Sequence, residues 1–368
     1  MKIAVLARIV NTKSGSRAAI ELARSLAKNN QVVFLAQRKK IDHKVKKKLE
    51  KEGVKIILVK NWIKLPKILK KERFDIISSH APLLPTLLAR LSGIPVVSTY
   101  YGTQLDAYYE RLLPHQKPSP RDKILNWLGN RATLFLMGLR LTLAHQIIAI
   151  SQYTADEAKR LYGKKVPYIY LGVDSESLKP KPSKKGRQST NLLSVSRFTP
   201  YKGFHVLIEV FKKLEKEFPG LKLTLVGSSS QENYLSYLRK IKDKDIRILT
   251  NISDEELAKE YQKSNIYLSW DRFLFFGLPV LEAALSGKPA IVLSRCAAPE
   301  TIIQGKTGYL VKNEPELLDS LEKLIKDKKL REVMGLNAQR LAENFNWEVC
   351  GQKYEQFLKR SKKESKRD

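Results

Sequence analysis

Cysteine is nearly absent: Cys296 and Cys350 are the two in 368 residues. Two cysteines cannot build a disulfide framework, which fits a reducing compartment. Histidine is sparse as well. His43, His80, His115, His145 and His205 are scattered without metal-ligand spacing, which excludes a structural zinc site at this level. No run of eighteen apolar residues occurs, and the best candidate, 132–150, carries Arg140 and His145 in its middle. The short apolar run after Met1 and Lys2 is interrupted by Arg8, with no small-residue cleavage site beyond it, so no secretory signal is expected. These absences predict an intracellular chain, soluble or peripheral to a membrane.

Acidic residues are outnumbered, 37 against 68 Lys and Arg, for a net charge of +31. The excess is uneven. Residues 1–190 hold 37 basic and 13 acidic side chains, a net of +24, whereas residues 191–368 hold 31 and 24, a net of +7. Nucleic acid, an anionic membrane surface or an acidic substrate each fits such a field, and so does a merely Lys-rich proteome. The 43% hydrophobic fraction excludes a disordered chain, and the length exceeds one ordinary core, so two domains are expected.

Short β-branched runs alternate with segments of helical period, the pattern of parallel sheets flanked by helices. Strands are predicted at 3–6, 32–35, 56–59, 75–78, 96–99 and 147–150, then at 192–195, 222–226, 246–249, 266–268, 290–293 and 308–311. Ala19, Leu22, Ala23 and Leu26 make one face of a helix over 17–28, as do Val206, Leu207, Val210, Phe211 and Leu214 over 203–216. Residues 176–190, rich in Lys, Pro and Ser, read as a linker. The predicted organisation is an α/β chain with two Rossmann-like, doubly wound domains facing across a cleft. They span 1–175 and 191–345, followed by a helix at 346–360 packing back toward the first domain and a frayed tail at 361–368. Ligands then belong at the carboxyl ends of the strands.

The strongest chemical signal follows the strand at 192–195. Arg197 and Lys202 leave its end five residues apart, with Pro200 and Gly203 fixing the turn, so a planar fork and a point charge can clamp a diphosphate. A second signal is Phe275-Phe276-Gly277-Leu278-Pro279-Val280-Leu281-Glu282. Pro279 suits the start of a helix whose first N–H groups would face an anion, with Glu282 in its first turn for ribose hydroxyls. Taken singly, a chance surface Arg and Lys, or a glutamate that complements a helix dipole, is the better explanation of each signal.

The pairing of RFTPYKG with FFGLPVLEAALSGKPAIV resembles the donor-binding half of glycosyltransferase family four, retaining enzymes of GT-B fold. The resemblance continues through residues 298–311, through Leu225-Val226-Gly227 and through 251–257, and covers 191–360 almost end to end. The first half is similar more loosely, over 1–35, 75–80, 93–102, 148–154 and 171–174.

The resemblance implies that Arg197 and Lys202 bind the donor diphosphate and stabilise its charge as the sugar leaves. It also implies that backbone at Gly277 and Leu278 adds donors to the phosphates and that Glu282 holds the ribose. Gly15 would let the acceptor domain approach the phosphate, and Ile252 would lie at the nucleobase. Tyr101 stands near the sugar, where the family commonly places His; a phenol donates a hydrogen bond but accepts protons poorly at neutral pH. The position eight residues before Glu282, usually Glu, is Leu274, and Asp271 is the carboxylate three residues upstream. The usual Gly-Gly of the first loop is Ser14-Gly15-Ser16. No metal and no cofactor is implied; the donor is a nucleotide diphosphate sugar.

The acceptor side rests on charge. Segment 60–71 interleaves Trp62, Ile63, Leu65, Ile68 and Leu69 with five Lys, which suits an anionic membrane surface and equally a solvated helix with one core-facing stripe. Segment 123–143 is apolar with Trp127, Arg131 and Arg140; it fits lipid contact or, in preference, a core helix. The expected function is therefore hexose transfer to a lipid, lipid-linked or polysaccharide acceptor at the cytoplasmic face of the cell membrane. Nucleic acid is not an expected partner, because no recognition motif for it is present. Leu274 and Tyr101 motivate an alternative, a catalytically silent GT-B protein that binds nucleotide or glycan as an assembly partner. A membrane-surface scaffold without any donor would require the Arg197, Lys202 and Glu282 constellation to be accidental.

Overall fold

Each of the twelve apolar runs forms a strand, and all of the strands pair in parallel. The computed structural model describes residues 1–11, 16–37, 41–106, 108–109, 112–174, 178, 190–228 and 231–365. The chain divides into two units: Met1–Thr103 with Arg131–Gly172 and Trp347–Asp368, and Gln104–Asn130 with Val173–Asn346.

The first unit holds Lys2–Leu6 (β1), Gln31–Gln37 (β2), Val54–Val59 (β3), Ile76–Ser79 (β4), Val96–Tyr100 (β5) and Gln146–Ala149 (β6), in the order β3-β2-β1-β4-β5-β6. A central parallel strand is buried on both faces, and β1 shows why its sequence is continuously apolar. Ile3 and Val5 enter one core layer while Ala4 and Leu6 enter the other. The first layer contains Cys350, Tyr354 and Leu358 from the helix Trp347–Glu364. That helix packs on Arg17–Ala27, where Ser25 Oγ donates to the Trp347 carbonyl at 3.0 Å. It continues to Glu364, so residues 361–364, expected as a tail, are helical.

The second unit holds Asn191–Val195 (β7), Lys222–Gly227 (β8), Ile246–Thr250 (β9), Ile266–Ser269 (β10), Ala290–Leu293 (β11) and Gly308–Val311 (β12), in the order β12-β11-β10-β7-β8-β9. Numbered within its own unit, this sheet runs 3-2-1-4-5-6, like the first, and places a topological switch point between β7 and β10. The corresponding switch point of the first unit lies between β1 and β4.

The domain boundary differs from the expected 1–175. Residues 104–130 group with the second unit: Leu113 packs against its core, and the His115 ring lies 5.4 Å from that of Tyr237. Most of the expected linker, 176–190, lies outside the described residues. In segment 60–71, a 3-10 turn Trp62–Lys64 leads into the helix Leu65–Glu72, with Pro66 in its first turn. Leu65 and Leu69 are buried, so this segment does carry a core-facing stripe. The segment 123–143 belongs to the helix Pro120–Leu143, but it is not a core helix. Ile124, Trp127, Leu128, Phe135, Leu136 and Leu139 are all exposed. Among the described residues, no helix is long and apolar enough to cross a membrane.

Candidate donor site

The two strands that flank the switch point of the second unit end in the loops singled out above. After β7, Arg197 is exposed and its Nη2 donates to the Tyr201 hydroxyl at 2.6 Å. Pro200–Lys202 forms one 3-10 turn, closed by Gly203 at φ 67°. A side chain at Gly203 is impossible on two counts: the backbone is left-handed, and a Cβ would meet Trp270 at 2.3 Å. That close approach locks the β7 loop against the residue that follows β10. The Arg272 N–H, which donates to the Tyr201 carbonyl at 3.1 Å, adds a second tie.

Lys202 supplies a third. Its ammonium donates to Asp271 Oδ2, while Asp271 Oδ1 accepts the Phe273 N–H at 2.9 Å. Both side chains are largely buried, at 13% and 7% exposed. The ammonium also lies 4.9 Å from the centre of the Tyr201 ring. Lys202 is therefore held in place by a carboxylate and an aromatic face before any ligand arrives. Asp271 is the side chain whose pairing with Lys202 spacing alone did not reveal. The signal was present as a single carboxylate just past a strand at the switch point.

The helix Leu278–Leu285 begins after Gly277, whose φ of 96° again requires glycine. A first turn leaves its leading N–H groups without intrahelical acceptors, and Pro279 has no N–H. Gly277 and Leu278 thus supply the leading amides at this end. Glu282 is the fifth residue of this helix, past the first turn where the sequence reading put it. It is 1% exposed, and its Oε2 accepts the Tyr261 hydroxyl at 2.7 Å. Tyr261 comes from the helix Asp254–Lys263, which Ser253 and Glu256 start with a capping box. Ile252 is half-buried just before that cap, at the end of β9, the edge strand two places from β7. Leu274 is buried and lies against Gly277, so the position expected to present a carboxylate turns into the protein. A cavity of about 320 Å³ adjoins these loops, bordered by Tyr201, Arg272, Phe273, His205 and Asp106.

In the first unit, Gly15 lies outside the described residues. Tyr101 follows β5, and its hydroxyl is 2.7 Å from His80 Nδ1, at the end of β4. His80 Nε2 is 2.9 Å from Ser78 Oγ, which shares the Tyr354 hydroxyl with Thr99 Oγ1. Burial, with a smaller contribution from the Arg140 cation, holds the His80 imidazole down to about 3, so it is neutral at physiological pH. Burial pushes the Tyr101 phenol up from its ordinary value. This centre is a network of neutral donors and acceptors. Among the described residues, no group of three His, Cys, Asp or Glu side chains gathers into a metal cradle.

Two parallel sheets of order 3-2-1-4-5-6, the second with paired cations and a helix start at its switch point, make this an α/β protein with the fold of the GT-B glycosyltransferases. The family models place it further: "Glycosyltransferase Family 4" matches residues 15–177 and "Glycosyl transferases group 1" matches residues 175–341. The chain belongs to glycosyltransferase family four.

Among its relatives, the capsular polysaccharide biosynthesis glycosyltransferase CapM of Staphylococcus aureus is 25% identical over 325 residues, 82% of each chain. Trehalose synthase of Pyrococcus horikoshii is 32% identical over 165 residues, 42% of this chain and 40% of its own. The match thus spans well under half the length of that relative. Among solved structures, Anabaena Alr3699/HepE in complex with UDP and glucose superposes with a TM-score of 0.78. It has 19% identity over 98% of this chain and 99% of its own, a likeness of fold.

Proposed function

We propose that this protein transfers a hexose, with retention at the anomeric carbon, from a nucleotide diphosphate sugar to a hydroxyl of a lipid, lipid-linked or polysaccharide acceptor. The transfer takes place at the cytoplasmic face of the cell membrane. The observation that carries the reading is the meeting of the β7 and β10 loops, where Arg197, Lys202 and the Gly277–Leu278 amides gather beside one switch point.

In this reading Arg197 and Lys202 hold the diphosphate and meet the charge that grows on it as the sugar departs. Fixed cations and amides need no reorganisation at that moment. The departing phosphate oxygen takes the acceptor's proton on the same face. Lys202 exchanges Asp271 for phosphate, or shares itself between them, and the freed Asp271 oxygen is then the carboxylate available to sugar hydroxyls. Glu282 meets the ribose only after its buried oxygens become reachable, so Tyr261 and the ribose compete for it. Tyr101 donates a hydrogen bond at the sugar, and neutral His80 orients it.

The CapM name and the basic first half of the chain support a glycan or lipid-linked acceptor at a membrane surface. The test is thermal stabilisation by UDP, GDP and ADP, each beside its sugar conjugates. UDP comes first because Alr3699/HepE is described in complex with UDP-glucose. At roughly 100 times the dissociation constant a ligand adds about 2.7 kcal/mol, a visible shift. A folded protein that responds to no nucleotide would overturn the reading. The buried Leu274 favours one second reading, a binding protein without turnover, which stabilisation by nucleotide with no transfer to any acceptor would support.

A further inference from the structure

The helix Pro120–Leu143 is apolar on the side that faces water. An amphipathic helix of a water-soluble domain turns its apolar face inward; here Leu141 and Met137 do pack inward, but polar side chains share that inner side. Asn126 is 5% exposed, and Asn126 and Asn130 both donate to Asp106 Oδ1, at 2.8 and 2.9 Å. Arg140 is 8% exposed and donates to the Thr99 carbonyl at 3.0 Å. The outer face carries Ile124, Trp127, Leu128, Phe135, Leu136 and Leu139, with Phe135 71% and Trp127 57% exposed. At 100° per residue these six fall within one half of a single continuous helix, and from Ile124 to Leu139 they extend about 22 Å along it.

Charge selects the occupant of this face. Residues 112–143 carry Lys117, Arg121, Lys123, Arg131 and Arg140 against one acid, Asp122. That carboxylate accepts from the Ser119 N–H and hydroxyl. Lys117, Arg121, Lys123 and Arg131 are all exposed. By the same spacing Arg121 and Arg131 fall within the apolar half and Lys123 just beyond its edge, so long basic side chains reach up from among the apolar ones, as at the boundary between acyl chains and anionic headgroups, where such helices sink about 5–10 Å.

We propose that the helix Pro120–Leu143 lies in the plane of an anionic bilayer, with Trp127, Leu128 and Phe135 inserted and Arg121, Lys123 and Arg131 among the headgroups. This names the anchoring element for the membrane location given above and rests on that reading.

The test is flotation of the full chain with phosphatidylcholine vesicles, with and without phosphatidylglycerol, for wild type, Phe135→Glu and Trp127→Phe. Phe135 is exposed, so Phe135→Glu should keep the melting temperature and the nucleotide response. Its partition onto phosphatidylglycerol vesicles should fall about tenfold or more. Quenching of tryptophan fluorescence by brominated phosphatidylcholine should largely vanish in Trp127→Phe. If Phe135→Glu floats as wild type does and salt releases both, the membrane location survives but helix insertion is overturned. If wild type does not float, both are overturned. A lipid-free dimer that Phe135→Glu dissociates would give the face to a second copy and overturn the proposal.

Discussion

The two units share one sheet order and differ in what they place at the strand ends. In the second, the loops after β7 and β10 hold charge: Arg197 on Tyr201, and Lys202 between Asp271 and an aromatic ring. In the first, the ends of β4 and β5 hold a neutral chain, Tyr101 to His80 to Ser78 to Tyr354 to Thr99. The same scaffold thus sets charged side chains at the strand ends of one copy and neutral hydroxyls at those of the other; in the function proposed, these become an anion site and a set of orienting hydroxyls. Division of labour between duplicated folds needs only a few side chains at the carboxyl ends of strands.

The sharpest way to break this comparison is to remove the charge from the second unit. Arg197→Ala should lower transfer by about 10²-fold or more with the fold intact, the scale of losing one donor from a charge-stabilising site. Lys202→Ala should do the same and also strip Asp271 of its partner, at a cost of about 3–5 kcal/mol in a buried pair. Adding Asp271→Asn to Lys202→Ala should restore stability in urea unfolding but not UDP binding by calorimetry. Wild-type turnover in either single variant would remove the anion site from the account.

Leu274→Glu comes next. Because Leu274 is buried against Gly277, the new carboxylate should cost about 3 kcal/mol or more of stability and should not raise transfer. A gain in activity with unchanged unfolding would show that the side chain turns toward the ligand.

The smallest effect at neutral pH, and one that grows only on acidification, contrasts one histidine in each unit. Burial lowers His205 to about 4 as its Nδ1 lies 2.9 Å from the Tyr234 hydroxyl, and His80 is held at about 3. Unfolded, both titrate near ~6.5. The unfolded chain therefore binds more protons between those values. Their contribution to stability is complete above pH ~6.5 and is lost as pH falls, toward about 4 for His205 and about 3 for His80. Each histidine should add a slope of up to about 1.4 kcal/mol per pH unit. Urea titrations of His80→Gln and His205→Gln should each flatten that slope in the window.

The strands were legible because a parallel strand buried on both faces is a continuous apolar run, and each of the twelve runs gave a strand. The RFTPYKG loop was legible because it follows such a run directly. What hid was anything decided at a distance. No local pattern tells residues 104–130 to pack with the second core, since their apolar residues suit either. Glu282 read as a surface ligand because its neighbour Tyr261, 21 positions earlier, is invisible to spacing. In 123–143 the apolar residues were plain, but their direction depends on Asp106 drawing two asparagines inward. Leu274 was visible as a departure, and only its burial against Gly277 explains how the chain accommodates it.

The helix Trp347–Glu364 has a consequence for biosynthesis. Cys350, Tyr354 and Leu358 belong to the same apolar layer as Ile3 and Val5, so the strand Lys2–Leu6 leaves the ribosome long before the helix that covers it. About 170 residues separate Gly172 from Trp347, about ten to thirty seconds of translation at ~5–20 residues per second. Through that interval the second unit can close on its own while the first carries an open apolar seam. Of the two units, the one begun first is completed last.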